Sequence, residues 1–536
     1  MGKLVLWQNA TNAKKNCNKT FAYAINVANF CATIVQNKTT TFAPIVLTAP
    51  ILPRELLHKV VLYDRITLYT KRGHMEYIKL DSKGKKQYYL EMQSVIDEFN
   101  SNGKKTVVIV NDNYYPIVDG VLTVIDNYAK NLKDKINVLV CAPTHRWKIP
   151  LNDTAVLFCN STYFHPLRYD YSHAKGDKKF RRLLDRLRID LMHIHSPYFT
   201  GRFMIEYANE RHIPVVSTFH TQYHQDLKRI LKLDSLKNAA LDAIMKVFHL
   251  SDVVLTMNTA TKDTLLSYGF NGEVRILPNG TDMSYDGDLG ELKKLCNQTY
   301  NVKEDETVLL FVGRLIKPKN IYLILDAIYH LAKTQCNFKM IYVGDGDEKS
   351  KLKEKIKAYN LQNKVMMTGK VLDQTLLKSL YCRADLFLFP SIYDSDGVVK
   401  YEAAAFETPS LLLEGSNAAC GVTDNLNGFL CDDNPKNMAN KISQLMQNKT
   451  LLQQVGACAK QTLYKKWNEI ADMALDIYMD VITKNEQMPI TKGKESMRGA
   501  LKHHRKRVKK GRKNTKFVKK ARVKIAKKQQ KESKKA

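Results

Sequence analysis

No run in this 536-residue chain approaches the ~18 consecutive apolar residues that a membrane-spanning helix needs, and its 44% apolar share is ordinary for globular proteins. A bilayer-crossing segment is therefore not expected. The opening stretch, "MGKLVLWQNATNAKKN", has neither the long apolar core nor the small-residue cleavage site of a secretory signal, so the chain is expected inside the cell. Ten cysteines are scattered from Cys17 to Cys458 with no CxxC pair, and no histidine stands at zinc-finger spacing. Neither disulfides nor a structural metal is expected. No DxD-like cluster closes a strand in a way that would hold a divalent cation, so a metal is left out of the expected chemistry.

Acidic residues are nearly missing from one end. Thr491 to Ala536 holds 21 Lys and Arg against Glu495 and Glu532, which places +19 of the chain's net +31 in that tail and leaves +12 for the rest. With so few apolar residues the tail cannot bury a core, and disorder or an isolated helix is expected. Its charge suits any polyanion, whether an anionic membrane or a nucleic acid.

The length is too great for one core, and about three units are expected. Residues 1–103 contain strand-like runs, "HKVVLYDRITLYTKRGHMEYIKLDSKGKKQYYLEM", and read as a small β-rich module of unknown role. From Lys104 a strand–helix–strand rhythm begins: "KTVVIVND", "VDGVLTVIDNYAKNL", "KINVLVCAP", then "IDLMHIHSP", "IPVVSTFHT" and "DVVLTMN". A second series runs through "ETVLLFVGR", "FKMIYVGDGD", "ADLFLFP" and "TPSLLLEG", after a turn-rich connection at "ILPNGTDMSYDGDLGELKK". The expected fold is α/β, with two facing doubly wound parallel-sheet domains at 104–295 and 296–485 and a basic tail at 486–536.

Ligands of such sheets sit beyond the carboxyl ends of the strands, where three loops carry suitable chemistry. In "NDNYYPIVDGVLTVI", Gly120 precedes a helix whose free N–H groups can receive a phosphate, although a glycine at such a turn also serves packing alone. In "LLFVGRLIKPKN", Arg314 and Lys319 can reach the cleft between domains, where two fixed cations suit a departing diphosphate; charges after a strand are also often merely solvated. In "PSIYDSDGVVKYEAAAFETP", Asp394 and Glu402 flank Gly397 with seven residues between them. Glu402 opens a helix and can take the vicinal hydroxyls of a ribose, Gly397 and Val398 can turn backbone amides toward phosphate, and Asp394 can hold sugar hydroxyls. His193 and His195 alternate on one strand and point to the same face. A metal there would want a third ligand, and none is apparent.

With these residues the chain resembles the family 4 glycosyltransferases of the GT-B fold, which use nucleotide sugars and retain anomeric configuration. The motifs fall in the family's order from about Lys104 to Ile482: "YYPIVDGVLTVI", "MHIHSPYFTG", "VVSTFHTQY", "VRILPNGTD", "FVGRLIKPKN", "YVGDGDEKSKL" and "DSDGVVKYEAAA". The resemblance implies that Gly120 meets the donor phosphates, that Arg314 and Lys319 hold the diphosphate, and that Glu402 binds the ribose. It also implies that His220 stands beside the reacting sugar, with His195 and Tyr223 on the acceptor side. Asp394 and Glu402 correspond to the family's E-x7-E pair, with the first member one methylene shorter. The motif style is similar to members that glycosylate diacylglycerol and related lipids. The reaction so implied is hexose transfer, with UDP-glucose as the default donor, to a membrane lipid, with a cell-wall or soluble glycan as the alternative acceptor. No cofactor beyond the nucleotide sugar is expected. The chain would sit in the cytoplasm, peripheral on the inner face of the membrane. Helix 175–191, "KGDKKFRRLLDRLRIDL", would help by presenting Phe180, Leu183, Leu184 and Leu187 within a basic rim; the same pattern also fits an ordinary helix packed on its own sheet. A reading from another class treats the chain as a nucleic-acid-binding protein acting through its tail.

Overall fold

The computed structural model describes residues 77–487, apart from positions 118, 151 and 165–168. Internal contacts divide the chain into Met1–Tyr63 and Asp64–Ala536, so every described residue lies in the second unit. The basic tail and most of the proposed N-terminal module fall outside the described residues.

Short β-branched runs make the scaffold. The first parallel sheet comprises β1 (Thr106–Val110), β2 (Asn137–Pro143), β3 (Val156–Cys159), β4 (Leu191–Ile194), β5 (Val215–Thr218), β6 (Val253–Thr256) and β7 (Glu273–Ile276), in the spatial order β7-β6-β5-β4-β1-β2-β3. The second comprises β8 (Thr307–Val312), β9 (Phe338–Val343), β10 (Val365–Gly369), β11 (Leu386–Phe389), β12 (Ser410–Leu413) and β13 (Phe429–Cys431), in the order β10-β9-β8-β11-β12-β13. "TVVIV" in β1 and "LFLF" in β11 are buried at every position. Helices cover both faces of such a sheet, so no residue alternation survives in the strand. Strand order reverses between β1 and β4 in one sheet and between β8 and β11 in the other, with Val110 level with Ile194 and Leu310 with Phe387. A crevice opens at such a reversal, and the loops leaving these four strands are the ones that carry the polar motifs.

Three expectations need correction. The strand reading of residues 82–92 fails: Ser82–Ser101 is a helix, capped by the Asp81 carboxylate on the Gly84 N–H at 2.8 Å. Its buried positions, Gly84, Tyr88, Met92 and Ile96, recur every fourth residue, a helical spacing that the scattered tyrosines and lysines obscure. The Tyr88 hydroxyl donates to the Val156 carbonyl (2.8 Å) and accepts from the Phe158 N–H (2.7 Å), fastening this helix to β3. Only Tyr77–Lys79 is a strand there, paired antiparallel with Lys148–Pro150.

The boundary at 485 also shifts. The last helix, Trp467–Glu486, leaves the second sheet and packs on the Gly120–Leu132 helix of the first domain, with the Trp467 and Tyr128 rings 6.2 Å apart.

The apolar face of the basic helix is not free. In the Lys178–Arg186 helix and the residue after it, Phe180, Leu183, Leu184 and Leu187 are all buried, and Phe180 meets Phe203 of its own domain. Amphipathicity shows that a face is covered without showing by what, and here the protein's own core covers it. Lys178, Lys179, Arg181, Arg182 and Arg186 remain exposed as a purely polar surface.

Candidate active site

The loop after β1 is fixed by carboxylates. Asp112, fully buried, accepts backbone N–H bonds from Tyr198 (2.8 Å), Thr200 and Gly201 (3.4 Å), which pins the loop after β4 beside it. Burial pushes the Asp112 carboxyl up to about 6 despite those donors. Asp119 caps the following helix by accepting from the Leu122 N–H at 2.9 Å and is itself held by Asn113 at 2.8 Å. Gly120 begins that helix, and a β-carbon there would meet nothing within 4 Å, so the helix N-terminus opens onto empty space.

That space is a cavity of about 370 Å³ with walls from both domains: Gly120 and Asn127 on one side, Gly280 and Thr281 on the connection, Val398 and Glu402 on the other. Glu402 stands in the first turn of the Val399–Ala405 helix, and its Oε2 accepts from the Tyr381 hydroxyl at 2.6 Å. Burial raises the Glu402 pKa, and the Tyr381 bond opposes the shift. Gly397 has φ +71°, and a β-carbon there would lie 3.1 Å from Phe389 and 3.2 Å from Ala418, so the tight bend before the helix requires glycine.

Arg314, Lys319 and Asp394, also donor-side candidates, stand apart from this lining. Lys319 Nζ lies 2.6 Å from both Asp394 oxygens and 4.8 Å from the Phe389 ring centre. The expected diphosphate cation and the expected sugar carboxylate are thus paired with each other. Arg314 is exposed and makes no ion pair among the described residues. The two loops are laced together, since the Pro318 carbonyl accepts from the Ile392 N–H (3.1 Å) and the Ser391 hydroxyl (3.3 Å).

On the opposite side, a cavity of about 200 Å³ is lined by Asn113, Tyr169, His195, Tyr198, His220 and Tyr223, among others. His195 Nδ1 and His220 Nε2 are 2.8 Å apart, and His195 Nε2 and His193 Nδ1 are 3.2 Å apart. The three imidazoles form a row whose nitrogens face one another in sequence, and no group of three or more His, Cys, Asp or Glu suited to a metal ion occurs among the described residues. Burial lowers all three pKa values, those of His193 and His220 to about 3, so the row is neutral at physiological pH. The Gln222 side chain donates to the Tyr393 carbonyl (3.3 Å), and the Tyr393 hydroxyl bonds to Asp226. The residue next to Asp394 is thereby fastened to the loop that follows His220.

Sequence reasoning passed over several residues that hold this geometry. Asp396, between Asp394 and Gly397 in "DSDG", is buried and accepts from Asn258 (2.9 Å), Asn279 (2.8 Å) and Tyr401 (2.7 Å), with Lys400 Nζ at 3.6 Å. Asn258 also caps the Thr259–Ser267 helix, so one asparagine ends β6, starts a helix and ties the two domains together. Its position directly after "VVLTM" was the available signal. Tyr381 and Tyr478 had none.

Two family models match the chain: Glycosyltransferase Family 4 over residues 118–285 and Glycosyl transferases group 1 over residues 295–462. The chain belongs to the family 4 glycosyltransferases. Its relatives include the alpha-monoglucosyldiacylglycerol synthase of Streptococcus pneumoniae, 26% identical over 305 residues, covering 56% of this chain and 68% of that one. The synthase of the same name from Acholeplasma laidlawii is 26% identical over 326 residues, covering 58% of this chain and 80% of that one. Among solved structures, Anabaena Alr3699/HepE in complex with UDP and glucose superimposes with a TM-score of 0.55 at 16% identity, covering 70% of this chain and 99% of that one. WaaG, a glycosyltransferase involved in lipopolysaccharide biosynthesis, gives 0.53 at 15% identity, covering 69% and 99%. These structures establish the GT-B fold that the two parallel sheets display. The protein is a glycosyltransferase of that fold.

Proposed function

We propose that this glycosyltransferase moves a glucosyl group from UDP-glucose to the hydroxyl of a membrane lipid such as diacylglycerol, with retention at the anomeric carbon. The observation that carries the donor half is the cavity that Gly120, at a helix N-terminus of one domain, and Glu402 of the other both line. An anion suits the helix end and a pair of vicinal hydroxyls suits the carboxylate, and a nucleoside diphosphate offers both. The lipid acceptor and the glucosyl group rest on the names of the Streptococcus and Acholeplasma relatives. An acceptor at the His195, His220 and Tyr223 cavity would meet the donor sugar beside Asp394, because Tyr393 is bonded to the same loop.

In the proposed reaction the acceptor oxygen forms a bond to the anomeric carbon as the bond from that carbon to the β-phosphate oxygen breaks. The hydroxyl proton passes to the departing diphosphate on the same face of the sugar. Negative charge grows on the diphosphate, and Arg314, Lys319 and the helix N-terminus at Gly120 are the groups to stabilise it. With those cations supplied by side chains, the scheme uses no cofactor and no metal. Glu402 holds the ribose, Asp394 the sugar hydroxyls, and Gly397 and Val398 the approach of backbone to phosphate. For location, no helix among the described residues is long and apolar enough to cross a membrane. We place the protein peripherally on the inner, cytoplasmic face, held through exposed lysines and arginines and the basic tail. Incubation with a panel of nucleotide sugars and a membrane lipid extract, with products identified by mass spectrometry, tests the assignment. A glucosylated lipid formed from UDP-glucose is expected; transfer only to soluble glycans would overturn the acceptor half, and no transfer from any nucleotide sugar would overturn the whole.

A further inference from the structure

The row of imidazoles ends at a residue from the far end of the chain. Tyr478, on the returning helix Trp467–Glu486, is fully buried, and its hydroxyl has one partner among the described residues, His193 Nδ1 at 2.6 Å. His193 Nε2 in turn faces Thr218 Oγ1 at 2.7 Å, and His193 and His195 are as deeply buried as Tyr478. Burial also keeps the Tyr478 phenol protonated, far from its titration range.

Neutral imidazole carries one N–H and one lone pair, so each contact in the row fixes the next. A buried O–H left undonated is costly, and among the described residues His193 Nδ1 is the acceptor that Tyr478 reaches. The Thr218 hydroxyl also has His193 as a partner, but Thr218 is 6% exposed and can donate elsewhere, whereas Tyr478 is fully buried; the phenol takes the His193 Nδ1 lone pair, and His193 carries its proton on Nε2, where it donates to Thr218. His195 Nε2–H shares the same Nδ1 lone pair at 3.2 Å, which leaves His195 Nδ1 to accept from His220 Nε2–H at 2.8 Å. His220 is left with a bare Nδ1 and lines the smaller cavity. Without the Tyr478 proton the whole row can invert. Thr218 would donate to His193 Nε2, each imidazole proton would shift along, and His220 would present an N–H instead of a lone pair.

We propose that Tyr478 is a positioning residue that sets the tautomer of His220 through His193 and His195, so that His220 Nδ1 accepts a hydrogen bond from a hydroxyl of the sugar or of the acceptor. The inference rests on the placement of His220 beside the reacting sugar. The last helix thereby joins the active site chemically while lying one imidazole row away from the substrate.

The test is imidazole nitrogen spectroscopy on the full chain labelled at histidine, with the His220 signals assigned from His220→Gln. The wild-type protein is expected to show His220 as the Nε2–H tautomer; an Nδ1–H signal there overturns the proposal without any further variant. Tyr478→Phe removes one buried oxygen at nearly constant shape. It is expected to move His220 toward the Nδ1–H form and to lower kcat about tenfold or more with the donor KM little changed. An unchanged tautomer in that variant also overturns the proposal. If Tyr478→Phe does not fold, Thr218→Val serves instead: it removes an acceptor but not the Tyr478 proton, so the wild-type tautomer should persist, and inversion would mean that Thr218 sets the row. A tautomer that inverts in Tyr478→Phe while kcat stays at the wild-type value overturns the functional half, and with it the placement of His220 at the sugar, while leaving the donor cavity reading intact.

Discussion

Removing Lys319 should do more harm than removing an ordinary phosphate-binding cation. Its Nζ sits 2.6 Å from each Asp394 oxygen, and the side chains are only 14% and 22% exposed. Lys319→Ala therefore has two effects. It deletes one cation from the proposed diphosphate site, a loss of about 1.5–3 kcal/mol in UDP binding, the worth of hydrogen bonds to a charged group. It also leaves the Asp394 carboxylate without its partner, near an anionic ligand. Two unit charges about 8 Å apart at an effective dielectric near 20 repel by about 2 kcal/mol. Arg314, exposed and without an ion pair among the described residues, carries only the first effect, and solvent screening reduces it. Calorimetry with UDP alone should thus rank Lys319→Ala as the weaker binder, by about tenfold or more relative to Arg314→Ala. The decisive variant is Lys319→Ala/Asp394→Asn, in which the stranded charge is gone. Affinity for UDP should recover by about tenfold over Lys319→Ala alone, since about 1.4 kcal/mol corresponds to a factor of ten. A double variant that binds UDP no better than Lys319→Ala would show that the diphosphate does not sense Asp394.

Glu402→Gln should weaken UDP binding by about 1.5–3 kcal/mol, the worth of hydrogen bonds to a charged group, because the ribose contact does not need the sugar. Burial holds the Glu402 pKa above its usual value, so the carboxylate that the ribose requires is lost as pH falls through that raised value; UDP affinity measured against pH should decline sooner on acidification than an ordinary glutamate would dictate, and the decline should vanish in Glu402→Gln. Asp396→Ala should cost about 3–5 kcal/mol of stability, read as a fall in Tm, because among the described residues it leaves Lys400, which is fully buried, without a countercharge, against the Ala418 and Cys420 carbonyls (2.8 and 3.0 Å) and the Tyr401 ring (4.9 Å). Deleting residues 491–536 should spare turnover on a detergent-solubilised acceptor while weakening binding to anionic vesicles, since each basic residue near such a surface contributes about 1 kcal/mol; unchanged vesicle binding together with lost RNA affinity would assign the tail to nucleic acid.

The parts of this protein that were legible in its sequence are those in which one short segment carries both the structure and the chemistry. "VDGVLTVI" joins a cap, a glycine and a helix within a few residues, and Gly120 does open onto the cavity that Glu402 closes. Pairings across long separations were not legible. Lys319 and Asp394 each stand out by residue type and place, but nothing in one sequence says that residues 75 apart share a salt bridge. The same holds for His193 and Tyr478, 285 residues apart, whose contact exists because the final helix crosses back to the first domain. Two helices posed a different difficulty. In helix 82–101 the pattern misled, and in the basic helix 178–186 it left the covering open, because pattern reports which side of an element is apolar but not what lies against it. For Phe180 and Leu184 it is the protein's own core.

The Lys319–Asp394 pair bears on how the proposed site would recognise a complete donor. In this structure each charge satisfies the other, so neither a free sugar nor an isolated hydroxyl offers Asp394 anything better than the ammonium it already has. A diphosphate does, because it brings negative charge to Lys319 and competes for the same three N–H donors. Were Lys319 to turn toward phosphate, Asp394 would lose part of its partner and become available to sugar hydroxyls held beside it. In the proposed scheme the sugar would be read only after the diphosphate is in place, and the opening of the pair would offset part of the gross binding energy of the nucleotide. Glu402, whose partner is the uncharged Tyr381 hydroxyl, has no such cost and can grip the ribose first. The two carboxylates of one motif would then act in sequence, with the shorter one under the control of the lysine 75 residues before it.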